Sequence, residues 1–253
     1  AASMQQSFEL PGAAYDVSTA RLDGSMVDAW SYPGGAILLF APSRLVDVQI
    51  RYIVLAAVAV GAAVVIAASP PEWALGAFGS FVIAREFFTG ALGGLIDPLW
   101  MTPTLVAMWL WATDRWMVAA VVLGVAAGIK QHAWFILPFL AVWVWQTAES
   151  PQEFLHRALH LNLAGVLGFW MMNGLFIILS PSSWLHGVLT PIRGEPMVPL
   201  GAGLTLITRL GVYPVASWWH TLALLGVGAW LLFAYAFAFD RVKWLAWVLP
   251  AAV

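Results

Sequence analysis

The sequence is a succession of apolar runs parted by very short polar breaks. Residues 52–68 are a clean stretch of Ala, Val and Ile, and runs of similar character follow at 99–112, 116–129, 133–147, 161–180 and 214–239. Asp114-Arg115 is so short a turn that the runs on either side of it are antiparallel neighbours. A bilayer crossing takes about 20 mainly apolar residues, and a backbone in hydrocarbon must satisfy its own polar groups. The expectation is an all-α protein: a polytopic integral membrane helical bundle of about seven to eight membrane helices, with interfacial or re-entrant helices besides. Composition agrees. Of 253 residues 62% are hydrophobic and 9% charged, where soluble domains carry about 25% charged residues. The 16 Trp, many near the ends of apolar runs, fit the aromatic belts of a membrane protein.

The chain reads as one transmembrane domain over 1–253, cut at both ends: it opens on Ala1 and stays apolar to Val253. Residues 1–32 form an outer loop with Glu9, Asp16, Asp23 and Asp28 against Arg21. A helical core follows at 33–180, a second outer loop rich in Pro and Gly at 181–212, and further membrane helices at 213–253. Glu149 to His160 reads as a charged loop. Residues 73–89 hold Gly76, Gly79 and the adjacent Arg85-Glu86; neighbouring charges do not face each other on a helix, so this segment is expected to be re-entrant, with Arg85-Glu86 as an internal ion pair. Counting crossings then collects the first loop, 85–97, 130–132 and 181–212 on the outer face, and puts 114–115, 149–160 and 240–243 inside.

Several classes drop out. The formal net charge is −2 with no basic stripe, which argues against nucleic-acid binding. With no Cys there is no disulfide framework or thiolate chemistry. No HExxH, Walker or Cys/His metal spacing occurs, so no metal site is read from the sequence.

The stretch Gly128-Ile129-Lys130-Gln131-His132-Ala133-Trp134-Phe135-Ile136-Leu137-Pro138 stands apart. A cation, an amide and an imidazole sit together between apolar runs. Ionisable groups close to hydrocarbon cost a few kcal/mol unless they face water, a partner or a ligand. Either the tripeptide faces a polar cavity, or Lys130 ends a helix and snorkels to headgroups. Asp97-Pro98 has two readings of the same kind: a helix N-cap with Pro at the first helical position, or part of a site. His186 and His220 read as interfacial polar groups.

Three pieces resemble the polyprenyl-phosphate-dependent membrane glycosyltransferases of the GT-C fold, and among them the family 87 mannosyltransferase group. Pro11-Gly12-Ala13-Ala14-Tyr15-Asp16 followed by Ser31-Tyr32-Pro33-Gly34 is similar to that family's first outer loop. Gly94-Leu95-Ile96-Asp97-Pro98-Leu99 resembles its Gly-Gln-x-Asp-Pro-Leu segment. Gly128 to Trp134 resembles its Gly-x-x-Lys-Gln/Pro-Thr segment. Gly34, Leu95 and His132 depart from the pattern, standing where Pro, Gln and Thr are usual.

The resemblance implies a multi-pass enzyme of the bacterial plasma membrane that transfers a sugar, mannose in the named group, from a polyprenyl-phosphate donor to an extracytoplasmic glycan or glycolipid acceptor. Such enzymes need no nucleotide-sugar site, though some use a divalent metal. Transfer requires a carboxylate to take the acceptor's proton, cations to hold the leaving phosphate, and a groove for the lipid. Lys130, Gln131 and His132 are the donor-phosphate candidates, and His132 could protonate the leaving group at working pH. Asp16 and Asp97 are the carboxylate candidates, while Tyr32, Arg193 and Glu195 are acceptor or lid candidates. The resemblance puts the family's catalytic base ahead of Ala1. The rival reading is a multi-pass transporter or lipid flippase. That would place ionisable groups deep within its spans and pair its broken helices, whereas the charges here gather at one interface.

Overall fold

The computed structural model describes residues 33–72, 75–76, 97–189 and 217–247. Every regular element among them is helical. In chain order these are α1 (Gly35–Leu45), α2 (Ile50–Ala68), α3 (Asp97–Ala112), α4 (Trp116–Ile129), a 3-10 turn (Gln131–Ile136), α5 (Leu137–Thr147), α6 (Pro151–Leu179), α7 (Pro181–Leu189), α8 (Ser217–Phe237), α9 (Phe239–Val242) and a closing 3-10 turn (Lys243–Trp247). The outer loop 1–32 with Asp16 and Tyr32, most of the expected re-entrant segment including Arg85-Glu86, and 190–212 with Arg193 and Glu195 lie outside the described residues.

Two helices, α2 and α6, are long and apolar enough to cross a membrane. A third span is added if α8 and the residues beyond its 100° bend count as one broken crossing. Of the expected seven to eight crossings, the described residues thus supply two to three. Among the described helices, α3 and α4 fall short in length. They have 16 and 14 residues, or roughly 21–24 Å at about 1.5 Å each, against about 30 Å of hydrocarbon.

α4 is the axis of the bundle, packed against α3 on one side and α6 on another. Its buried positions are mostly small: Ala119, Ala120, Gly124, Ala126, Ala127 and Gly128. Small residues let backbones approach where no hydrophobic force drives helices together in lipid. A Cβ on Gly124 would stand 2.0 Å from the Gly165 carbonyl oxygen, and one on Gly168 would stand 1.9 Å from that of Val121. Gly124 faces Gly165 and Gly128 faces Met172, so α4 and α6 run parallel. One end of the bundle therefore carries Lys130 and α7; the other carries the 113–115 turn and the start of α6.

Two loop expectations are corrected. The charged segment 149–160 is helix from Pro151 onward, because Ser150-Pro151-Gln152-Glu153 is a capping box. The Ser150 hydroxyl accepts from Glu153 N at 3.2 Å, and Glu153 Oε2 accepts from Glu149 N at 2.7 Å. The Glu153 amide, one of the orphan donors at this helix start, is thereby satisfied, and the Glu153 carboxylate holds the amide of the residue just before the cap. Likewise Pro181–Leu189, read as the start of a loop, is the amphipathic helix α7, with Gly187 and Val188 buried.

The tryptophans are not all belt residues. Trp111, Trp143 and Trp247 are buried in one aromatic cluster at the end remote from Lys130. Trp111 stacks on Trp116 at 5.6 Å, and Trp143 and Trp247 stand edge-on to it at 5.9 Å each. Among the described residues, the indole N–H groups of Trp111 and Trp247 find no oxygen or nitrogen partner; edge-on rings are the arrangement in which a π face serves as a weak acceptor. The bend at Ala238 brings the last turn back under the cluster, where the Tyr235 hydroxyl donates to the Lys243 carbonyl at 2.9 Å. The segment after Lys243, read as the start of another crossing, is through Trp247 part of this core.

Candidate functional site

Asp97 opens α3 and Lys130 follows α4. The two helices are nearly equal in length and joined by a turn in which Asp114 takes φ 58°, a left-handed conformation that Asp tolerates better than most residues. Equal lengths and a tight turn return the chain to its starting level, so residues 33 positions apart meet. Lys130 Nζ lies 2.5 Å from Asp97 Oδ1. At Lys130 the backbone leaves the helix for an extended conformation, φ −147° and ψ 140°, before the 3-10 turn begins.

Around this pair the same oxygen of Asp97 accepts from Trp100 Nε1 at 3.0 Å, one turn along α3. The Trp100 ring lies 5.7 Å from that of His132. Asp97, Trp100, Lys130 and His132 thus form one cluster. The Lys130 side chain is 12% exposed and that of Asp97 is 42% exposed, so the carboxylate keeps a face toward solvent. Burial acts to raise the Asp97 pKa, but the hydrogen bonds from Lys130 and Trp100, with the charges of Lys130 and His132, outweigh it and hold the carboxyl below its ordinary value. His132 reaches the surface, yet desolvation of its ring, and then the Lys130 charge, push its pKa below the ordinary value against the pull of Asp97. The imidazole is kept toward its neutral form beside a fixed ammonium.

Gln131 does something else. It is buried, and its Nε2 donates to the Val188 carbonyl at 3.0 Å, tying the 3-10 turn to α7. The adjacent Trp134 Nε1 donates to the Ala127 carbonyl at 2.9 Å. Of the candidates drawn from sequence, the structure brings Asp97, Lys130 and His132 together and turns Gln131 inward; Asp16, Tyr32, Arg193 and Glu195 lie outside the described residues.

Two residues that matter here were not singled out from sequence. One is Trp100. The other is Asn173, fully buried on α6. Its Oδ1 accepts from Gly34 N at 2.7 Å and from Trp184 Nε1 at 3.0 Å; its Nδ2 donates to the carbonyls of Gly128 at 3.1 Å and Phe169 at 3.3 Å. That is the full capacity of an amide side chain. Gly34 lies at the start of α1 and Gly128 in the last turn of α4, so Asn173 satisfies groups at two helix ends that lack helical partners. The signal was available: Asn173 is a strongly polar group inside the apolar run 161–180, and such groups near the middle of a span generally face the bundle interior.

An apolar cleft of about 640 Å³ runs between α4, α5 and α6. Leu123, Gly124, Leu140, Gly165 and Phe169 are among its walls, and its lining reaches Ala127 and Trp134, the residues on either side of the Lys130 segment. Among the described residues no group of three or more His, Asp or Glu gathers as a metal site.

Among the described residues, these features define an all-helical fold with two to three helices able to span a bilayer and a charged cluster at one end of the bundle. No protein-family model, curated protein or solved structure matches the chain.

Proposed function

We propose that this chain is the helical core of a membrane glycosyltransferase of the GT-C type, multi-pass in a bacterial plasma membrane with seven to eight crossings in all. It transfers a sugar from a polyprenyl-phosphate donor to an extracytoplasmic glycan or glycolipid. The observation that carries this reading is the Lys130–Asp97 pair with His132 and Trp100 beside it, next in the chain to Ala127 and Trp134, which line an apolar cleft. A lipid phosphate needs a cation for its head and hydrocarbon walls for its tail, and the two lie within one helical turn of each other along α4.

In this reading Lys130 receives the donor phosphate. Asp97 holds the ammonium in place until the donor arrives, and its exposed face lets the pair open without burying a lone charge. His132, kept toward neutrality, donates a ring N–H hydrogen bond to the phosphate; its lowered pKa makes it a hydrogen-bond donor to the departing group rather than the source of a proton. Trp100 fixes the carboxylate and backs the imidazole. Gln131 anchors α7 over the site. The carboxylate that deprotonates the acceptor lies outside this cluster, in keeping with the sequence resemblance.

The test is a rate assay on purified intact protein with polyprenyl-phosphate sugar as donor, alongside a melting curve. Lys130→Ala is expected to lose on the order of a hundredfold in rate, about 3 kcal/mol of transition-state stabilisation, while still folding. Near-normal turnover in that variant would remove the reading. If Lys130→Ala does not fold, His132→Ala at the exposed edge of the cluster replaces it, with the same two outcomes.

A further inference from the structure

At the opposite end of the bundle, α6 carries a second constellation that the proposed transfer reaction does not use. His156 and His160 are four residues apart on this helix, and both are exposed. Residues at this spacing lie one above the other on a helix face. Here the two rings are 4.2 Å apart between centroids and tilted by 42°. They stand on the polar first turns of α6. His160 lines a groove with Met117 and Val118 of α4; from Val118 to Lys130 is about 18 Å along α4 at about 1.5 Å per residue.

We infer that His156 and His160 form a two-imidazole chelate for a divalent metal of the borderline class, Cu2+, Ni2+ or Zn2+.

Three observations support this. The first is spacing: a helix that stacks two imidazoles at contact distance presents two nitrogens to one ion without rearranging its backbone, and imidazole suits these metals. The second is the tautomer. His160 Nδ1 lies 2.8 Å from the His156 carbonyl oxygen. A carbonyl only accepts, so Nδ1 carries the hydrogen and Nε2 keeps its lone pair for a metal. A ligating histidine generally makes this outer-shell bond. The third is charge. Arg157, between the two histidines, is drawn off the chelating face: it pairs with Glu153 and lies over the Trp116 ring at 5.3 Å. No third His, Asp or Glu joins the pair among the described residues, so water or another small ligand completes the coordination. An open two-imidazole site of this kind binds an exchangeable ion rather than a structural one. The inference is independent of the glycosyltransferase reading, because no group of the Lys130 cluster takes part.

The experiment is Cu2+ titration of the full chain, purified without a polyhistidine tag, read by electron paramagnetic resonance. The expected result is one Cu2+ per chain with nitrogen couplings from two imidazoles. His156→Gln and His160→Gln should each remove the two-imidazole signature and weaken binding on the order of tenfold or more, because a single ligand loses the chelate advantage. His132→Gln, His186→Gln and His220→Gln should leave both unchanged. Retention of the signature in either α6 variant, or its loss in His132→Gln, His186→Gln or His220→Gln, would overturn the assignment, as would the lack of any two-nitrogen species in the wild-type chain. Both α6 side chains are exposed, so the fold tolerates their replacement, and circular dichroism of each variant confirms it.

Discussion

Lys130 Nζ and Asp97 Oδ1 stand 2.5 Å apart although 33 positions separate the residues. The contact exists because α3 and α4 are nearly equal in length and joined by a tight turn, and because Lys130 leaves the helix in an extended conformation. If Lys130 were only an anchor in the headgroups, its loss would cost little of anything. If it holds a phosphate, its loss removes activity and leaves stability nearly intact. With the Asp97 side chain 42% exposed, water can take the ammonium's place, and the pair is worth about 1 kcal/mol or less to folding. Lys130→Arg separates charge from shape: it should keep part of the activity, since a planar fork replaces a compact ammonium. Equal rates for the Ala and Arg variants would contradict a role in phosphate binding.

Stability should fall on acidification in two stages. The folded pKa of His132 is lowered from 6.5. Below pH 6.5 the unfolded chain takes up a proton that the folded chain refuses, so this contribution is complete above 6.5 and lost as pH falls toward the depressed folded value. The folded pKa of Asp97 is lowered from 3.8, and the same sign applies below 3.8. Melting temperatures of the detergent-solubilised protein across this range check it. His132→Gln should flatten the first decline and Asp97→Asn the second; a wild-type curve that rises as pH drops from 6.5 would refute the linkage.

Asn173→Leu keeps the volume but leaves the Gly34 amide, the Gly128 carbonyl and the Trp184 indole N–H without this partner. Each buried polar group so orphaned costs about 1–3 kcal/mol. The expected loss is therefore several kcal/mol, a large share of the roughly 5–15 kcal/mol that holds a typical domain. A melting temperature within a degree or two of wild type would mean that Asn173 is not the link between the ends of α1 and α4.

Two glycines on the same helix should respond in opposite ways to one added methyl. At Gly168 a Cβ would meet backbone, 1.9 Å from the Val121 oxygen, whereas at Gly165 the nearest atom is the Ala120 oxygen at 3.6 Å. Gly168→Ala must push α4 and α6 apart and should destabilise by about 3 kcal/mol or more. Gly165→Ala meets ordinary contact and should be neutral, or stabilising by up to about 1 kcal/mol through helix propensity. Comparable melting shifts for the two would show that the helices do not cross this closely.

Sidedness follows from the parallel run of α4 and α6. The chain has no cysteine of its own, so single substitutions report cleanly. Ser183→Cys on α7 and Gln152→Cys at the start of α6, both exposed, should react with an impermeant maleimide from opposite sides of the membrane, Ser183→Cys from the outer one. Labelling of both from the same side would rule out α6 as a crossing.

The sequence alone was enough for the helical class, because the length and polarity of apolar runs are local properties and a bilayer admits few answers to them. It also marked Asp97, Lys130 and His132, since an ionisable group beside apolar runs is conspicuous wherever it sits. The tight Asp114-Arg115 turn was legible too, and from it the antiparallel pairing of α3 and α4. Nothing local, however, states that Lys130 meets Asp97 or that Gln131 turns inward to Val188. Both depend on where a chain returns after a helix of a given length. The long arm of α6 was hidden for another reason: its first turns are polar, and only the Ser150–Glu153 cap carries the helix outward past its apolar part. Asn173 was visible as a polar residue in an apolar run, but its four partners come from α1, α4, α6 and α7, and only the packed bundle assembles them. The tryptophans make the same point. Their composition suggested the membrane surface, while the packing of Trp111, Trp143 and Trp247 against one another put those three in the core, because an apolar ring is as well accommodated by other rings as by an interface.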